Sequence, residues 1–269
     1  MDVIILKENK SIGIVTIIMN FSSYLDMNIF ALLLMFLIPF LITIFNLCFW
    51  SALFEDKKQI YGMTKNQLIT YMLLVNVFYQ QFNVYTPATT ALWEGSIVRY
   101  YTKPLGLIRQ FIYEVIGKSW LPNWLIFSLP TIIIARLLGF HFFVSDFKHF
   151  IFFILSFIIS IIIGFEIDII FSAIAIKLKN GCWAAQQIRN ILIIMLSGQL
   201  IPLQFFPKII KQILEILPFG SLANAPVSIY IGGEYFYTIG IQCFWAIFMG
   251  FLSYIIFKKS EENMISLGG

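Results

Sequence analysis

The sequence predicts an all-α, polytopic membrane protein with six transmembrane helices. Three observations carry this. Of the 269 residues, 59% are hydrophobic and 12% charged, where an ordinary soluble domain is about 25% charged. The apolar residues fall in runs of roughly the 20 residues a helix needs to cross a bilayer. The stretches between the runs are short. They leave no length for an appended soluble domain, so residues 1-269 read as a single transmembrane domain.

Residues 1–28 are mixed. Ile12 to Met19 is apolar but too short to span, and Lys7, Glu8, Lys10 and Asp26 flank it. A helix lying in the membrane interface is expected there. The N-terminus MDVIILKENK lacks the basic leader and small-residue cleavage site of a signal peptide. The first span is expected over Ile29 to Phe54, with Pro39 inside it, and the second over Gln67 to Leu92. Trp93 to Ser119 is too polar to span. The third span is expected over Trp120 to Phe140, the fourth over Phe150 to Ile176 and the fifth over Trp183 to Leu203. A proline-punctuated stretch, Gln204 to Gly233, precedes the sixth span, Tyr235 to Phe257, and a polar tail.

The net charge of +4 is best read loop by loop, and not as a nucleic-acid signal. With the N-terminus inside, the inner segments hold Lys7, Lys10, Arg99, Lys103, Arg109, Lys118, Lys177, Lys179, Arg189, Lys258 and Lys259. The outer segments hold the smaller set Lys57, Lys58, Lys65, Arg136, Lys148, Lys208 and Lys211. Both termini are therefore expected to be cytoplasmic. The abundance of Ile, Phe, Lys and Asn suggests an AT-rich bacterial genome. The expected location is thus a bacterial cytoplasmic membrane.

On that topology Trp93 to Ser119 is the longest cytoplasmic segment. Its apolar and aromatic residues alternate with Arg99, Lys103 and Arg109 around a Pro104-Leu105-Gly106 break. It either docks a cytoplasmic partner or holds the protein against anionic lipid heads. Gly117-Lys118-Ser119 imitates the end of a phosphate-binding loop. Position 112 is Ile where that motif needs Gly, which argues against nucleotide binding by this chain.

Three stretches resemble the permease subunits of type-2 ATP-binding-cassette (ABC) exporters. They are Tyr61-Gly62-Met63-Thr64 leading into Leu68 to Tyr71, then Glu94-Gly95-Ser96-Ile97 through Lys103-Pro104, and then a long third stretch. The third runs from Ser197-Gly198 through Ile201-Pro202-Leu203, Phe206-Pro207, Leu217-Pro218-Phe219, Pro226, Ile229-Tyr230 and Gly232 to Gln242 and Trp245, with a tail ending in Gly268-Gly269. The sequence departs from the family pattern at Met63, where Trp is usual, and at Glu166 and Asp168, where apolar residues are usual.

The resemblance implies a pathway formed by two permease subunits, identical or sister chains, with two ABC ATPase subunits beneath. ATP and Mg²⁺ would be held by those partners, with no cofactor in this chain. The loop holding Glu94, Gly95, Arg99, Lys103 and Pro104 would couple to the ATPase. Gln204 to Gly233 would be short outer helices re-entering the membrane. The bare sequence agrees, because Pro202, Pro207, Pro218 and Pro226 cut that stretch into pieces too short to span.

Inside the expected spans, Asn76, Gln80, Asn83, Pro87 and Thr90 recur at steps of four and three, the period of one helix face. Such a stripe either lines the pathway or joins helices by hydrogen bonds. Glu166 and Asp168 lie on the order of 14–16 Å along the fourth span from Lys177, at 1.5 Å per residue. Ionisable residues at such depth are functional candidates. Arg189 enters the fifth span from the same side. It either pairs with one of them or leaves a carboxylate for a cationic cargo. His141, Asp146 and His149 show no repeated ligand spacing, and no Ser-His-Asp or Cys-His arrangement is legible. Cys48, Cys182 and Cys243 form no CxxC pair and read as core residues. The expected function is export of an amphiphilic peptide, drug or lipid, with enzymatic work left to partner chains. The rival expectations are a proton-coupled secondary transporter, with Glu166 or Asp168 carrying the proton, and a non-transporting scaffold or immunity protein.

Overall fold

A computed structural model describes residues 2–54, 58–140, 146–177 and 182–266. Lys57, His141, Lys179, Gly181 and Gly268-Gly269 lie outside the described residues. The regular structure of the described residues is helical apart from one hairpin of two two-residue strands.

Helix α1 (Asp2–Leu25) packs along the start of a long helix formed by α7 (Leu107–Val115), two π-helical turns (Ile116–Trp120 and Asn123–Ser128) and α8 (Leu129–Leu137). The contact is close. A Cβ on Gly117 would lie 2.7 Å from the Ile17 carbonyl oxygen, so only glycine fits. Gly117 of the phosphate-loop imitation is thus a helix-packing residue. The Tyr24 hydroxyl donates to the Lys118 carbonyl. Pro122 stands between the two π turns; it brings no N–H to the helical ladder, and such turns are where a helix absorbs a misfit.

Helix α2 (Ile29–Ala52) starts at Asn28, whose side chain accepts from the Ala31 N–H at 2.8 Å, an N-cap. The hairpin β1 (Gln59–Ile60) and β2 (Met63–Thr64) turns through Tyr61 and Gly62, with φ of 48° and 79°. Two positive φ values in a two-residue loop match the right-handed twist of the strands. Thr64 then caps α3 (Lys65–Val77) in a capping box with Gln67. The family-like Tyr61-Gly62-Met63-Thr64 stretch is therefore a turn and a helix start.

Among the described residues four helices are long and apolar enough to cross a membrane: Ile29–Ala52, Leu107–Leu137, Phe147–Ala175 and Tyr235–Ser260. The other two expected spans are broken. After α3 the chain runs through α4 (Tyr79–Phe82), leaves the helix at Asn83–Pro87, and resumes as α5 (Ala88–Trp93). Helix α10 (Cys182–Leu196) stops short of the expected Leu203, because Gly198 adopts φ 83° in a turn. The third span also differs. Residues 107–119, expected to be too polar to cross, begin the same helix as 120–137. Their apolar side, Phe111 and Val115, is buried, while Glu114 pairs with Lys118 one turn on.

Helix α9 (Phe147–Lys177) is the axis of the fold, contacted by α4, α5, α10, α12 (Asn224–Tyr230) and α13 (Tyr235–Ser266). At one end, Phe78, Phe82, Trp124, Phe153 and Phe157 pack ring against ring, Phe78 and Phe82 edge to face with Phe157. At the other end a second cluster joins Ala88, Ala91, Ile97, Phe111, Ile169 and Phe257. Helices α2 and α13 expose most of their apolar side chains, as membrane-facing helices do. Cys48 and Cys243 are free thiols on those faces.

Candidate functional site

The break at Asn83–Pro87 frees backbone groups inside the protein, and these must find partners. Three residues of α9, each four apart and so on one face, meet the broken segment in turn. Gly164 makes room for Val84: a Cβ there would lie 2.8 Å from Val84 Cγ2. Asp168 Oδ2 accepts from the Thr86 N–H at 2.9 Å and from the Thr86 hydroxyl at 2.5 Å. Ser172 Oγ lies 2.8 Å from Thr89 Oγ1 and donates to the Asp168 carbonyl.

Helix α10 closes the other side. Arg189 donates to the Val84 carbonyl. Its Nε lies 3.2 Å from Asp168 Oδ1, an ion pair whose side chains are 1% and 2% exposed. The guanidinium also donates to Asn190 Oδ1 at 3.0 Å and stands 5.9 Å from the centre of the Tyr85 ring. One freed carbonyl and one freed N–H are thus capped by the two halves of a buried ion pair.

Glu166 does not join this pair. It is half-buried and faces α13, where its Oε1 lies 2.8 Å from the place a Cβ of Gly250 would take.

The break redistributes the expected polar stripe. Asn76 and Gln80 remain on one face. Asn83 turns aside, its amide donating to the Tyr79 hydroxyl at 3.3 Å, and the Thr90 hydroxyl bonds back to the Pro87 carbonyl. Asn76 and Gln80 line a cavity of about 450 Å³ between α2, α3 and the end of α10, with Asn46, Asn123 and Gln199 around them. A second cavity of about 400 Å³ shares Pro39, Gln80, Asn123 and Phe127 with it and extends to Tyr24 and Lys118. Together they form a track from the α1 end of the molecule toward its middle. Asn46, Asn123 and Gln199 gave no signal in the sequence, because each sits alone in a different apolar run.

The segment 94–106 is folded against the C-terminal parts of α9 and α13. Gly95, at φ 69°, ends α5 and turns the chain into α6 (Val98–Tyr101). Ile97 and Leu105 are buried, and Tyr100 stacks edge-on to Phe111 at 5.0 Å. The Tyr100 hydroxyl donates to Glu114 at 2.9 Å. Burial and that carboxylate raise the phenol pKa well above its ordinary value. Gln110 donates to the Tyr100 and Leu105 carbonyls at 2.7 and 2.5 Å, tying the turn to α7. Glu94, Arg99, Lys103 and Pro104 are exposed, Lys103 over the Tyr100 ring at 5.4 Å. The result is a rigid base presenting charges to solvent.

The third family-like stretch is held to the first, to α9 and to itself. The Tyr71 hydroxyl donates to the Gly198 carbonyl at 3.0 Å, and a Cβ on Gly198 would lie 2.5 Å from that oxygen. The Trp245 indole donates to the Ile216 carbonyl at the end of α11 (Lys208–Ile216) at 2.6 Å. Gln242 donates to the Ser221 and Ser156 carbonyls at 2.8 and 3.2 Å.

A family profile described as ABC-2 family transporter protein matches residues 40–268. No curated protein matches the chain.

Proposed function

The chain belongs to the ABC-2 family of transporter proteins, a membrane transport component, and on that premise we propose that it is the permease subunit of an ATP-driven exporter of an amphiphilic cargo. The observation that carries this reading is a run of rigid contacts from a charged surface to the amide-lined track. Glu94, Gly95, Arg99, Lys103 and Pro104 form the surface that receives an ABC ATPase. Ile97, Tyr100 and Gln110 lock that surface to α5 and α7. Helix α5 leads directly into the break that Asp168 and Arg189 clamp. Beyond the break stand Gln80 and Asn76, on the wall of the track. A push on the surface is therefore carried to the track, with little slack, by packed side chains.

On this reading the chain crosses the membrane six times, two of the crossings being the interrupted α3–α5 and α10. Both termini face the cytoplasm. Helices α11 and α12 lie in the outer leaflet as re-entrant pieces, since broken backbone at membrane depth belongs against protein or water. A second permease copy or sister chain covers the exposed track. ATP and Mg²⁺ sit on the ATPase partners.

The test is gentle purification of the tagged chain from its host, with identification of what accompanies it. An ABC ATPase in near-equal amount supports the reading, and a stable chain that carries none at any salt concentration overturns it. One observation keeps the proton-driven rival in view: Glu166 Oε2 is buried without a hydrogen-bond partner among the described residues. The two part at Glu166→Gln. The exporter keeps ATP-dependent transport, whereas a proton carrier loses transport altogether.

A further inference from the structure

The cavity beside α3 has a distinctive chemistry. Of its polar lining residues, Asn46, Asn76, Gln80, Asn123 and Gln199 are carboxamides, and among the described residues no Asp, Glu, Lys, Arg or His lines it. Its apolar wall includes Val75, Ile194 and Phe127. At about 450 Å³ it is large enough for part of an amphiphile.

Hydrogen bonds between helices, and one within α3 from Asn76 to Met72, account for some of these amides. Asn46 reaches Asn76 Oδ1 at 3.5 Å, the Asn76 amide donates to the Met72 carbonyl at 2.7 Å, and Gln80 accepts from Ser119 at 3.1 Å. Gln199 is different. It is 7% exposed, it follows the left-handed turn at Gly198, and neither its Nε2 nor its Oε1 has a partner among the described residues. Helix-joining does not explain a buried amide that joins nothing. A donor and an acceptor kept side by side on the cavity wall match a ligand offering both.

We infer that this cavity selects an uncharged, hydrogen-bonding amphiphile: a cargo whose polar part carries amide or hydroxyl groups and no net charge where it meets Gln199, Asn76 and Gln80. The inference rests on the pathway reading above. Carboxamides match a peptide bond or a hydroxyl group at donor and acceptor alike. A cation or anion in the same place would leave water and meet no counter-charge on the cavity wall. The Asp168–Arg189 pair does not supply one, because its charges are turned toward each other and the Val84–Thr86 backbone.

The experiment uses the purified full chain in lipid nanodiscs and three radiolabelled probes with the same twelve-carbon tail. They are neutral N-dodecanoylglycinamide, cationic dodecyltrimethylammonium and anionic N-dodecanoylglycine. Binding is read by equilibrium dialysis, with protein-free nanodiscs subtracted. The neutral probe is expected to saturate and to bind at least about tenfold more tightly than either charged one, a difference of about 1.4 kcal/mol. Gln199→Leu is expected to weaken it at least fivefold. Gln80→Leu, which keeps helix propensity, should do the same. Equal binding of the three probes, absence of saturable neutral binding, or wild-type binding in a folded leucine variant overturns the inference. The comparison on the unaltered chain decides the matter where a variant does not fold. A chain that carries its ATPase yet shows no neutral preference sinks this inference and leaves the exporter reading standing. Loss of the ATPase partner sinks the exporter reading.

Discussion

Asp168 and Arg189 show how a single buried pair holds a break between helices. A buried ion pair contributes little net stability compared with apolar residues of similar volume. Removing one partner, though, strands the other charge at a cost of about 3–5 kcal/mol. Arg189→Ala is therefore expected to destabilise the protein by about that amount, read by thermal unfolding in mild detergent. Combining it with Asp168→Asn should cost less than the two single changes added together. Strict additivity would mean that the two side chains act separately. The pairing was one of the alternatives legible in the sequence, because both charges sit inside apolar runs where a lone charge is unfavourable. Their capping of Val84 and Thr86 was not legible. Backbone groups freed by a break have no letter in the sequence, and Pro87 read there as one member of a continuous helical stripe. Glu166 was equally visible as an intramembrane carboxylate, yet it points to another helix, as a separation of two residues on a helix requires.

At the scale of elements, hydropathy located the apolar runs well and their continuity poorly. Helices α2, α9 and α13 follow the expected spans closely, α2 continuing through Pro39, which costs it one rung of the helical ladder without ending it. The expected second and fifth spans are less apolar, Pro87 and Gly198 interrupt them, and tertiary partners make the interruptions tolerable. The reverse error concerns 107–119. Its charges suggested a loop, yet Phe111 and Val115 bury one side of a helix that runs on into the membrane. Gln110 is the residue that makes α6 and α7 one body. Gln110→Leu removes both of its donations, to the Tyr100 and Leu105 carbonyls, and its cost is about 1–3 kcal/mol, confined to this corner. The expected outcome is an intact membrane core with a loosened turn. Limited proteolysis should cut within 94–106 sooner than in the parent chain, while cargo-stimulated ATP hydrolysis by the assembled exporter falls. Unchanged cleavage would show that the apolar anchors Ile97 and Leu105 hold the turn unaided.

For the whole molecule, the exporter reading requires force to enter at one end and act in the middle, and the distribution of rigidity meets that requirement. The turn at 94–106 is braced from beneath by Ile97, Tyr100 and Phe111 against Ile169 of α9 and Phe257 of α13. Among the described residues, the exposed Arg99 and Lys103 side chains touch that bracing only through the contact of Lys103 with the Tyr100 ring and the field of Arg99 at Tyr100. They are free to meet an acidic surface on a partner, and charges at such a surface govern association more than folding. Reversing both, Arg99→Glu with Lys103→Glu, should leave the unfolding temperature nearly unchanged, since surface substitutions of this kind stay within about 0.5 kcal/mol. The same double change should weaken retention of the ATPase by about tenfold, or ~1.4 kcal/mol, and more so at low salt, where exposed charges are less screened. Titration of the purified ATPase onto the chain in nanodiscs at two ionic strengths measures both effects. A loss of stability without a loss of binding would place these side chains in the fold. Full retention of the partner at both salts would remove the turn from the interface and leave the track without a source of force, which is the result most damaging to the exporter reading.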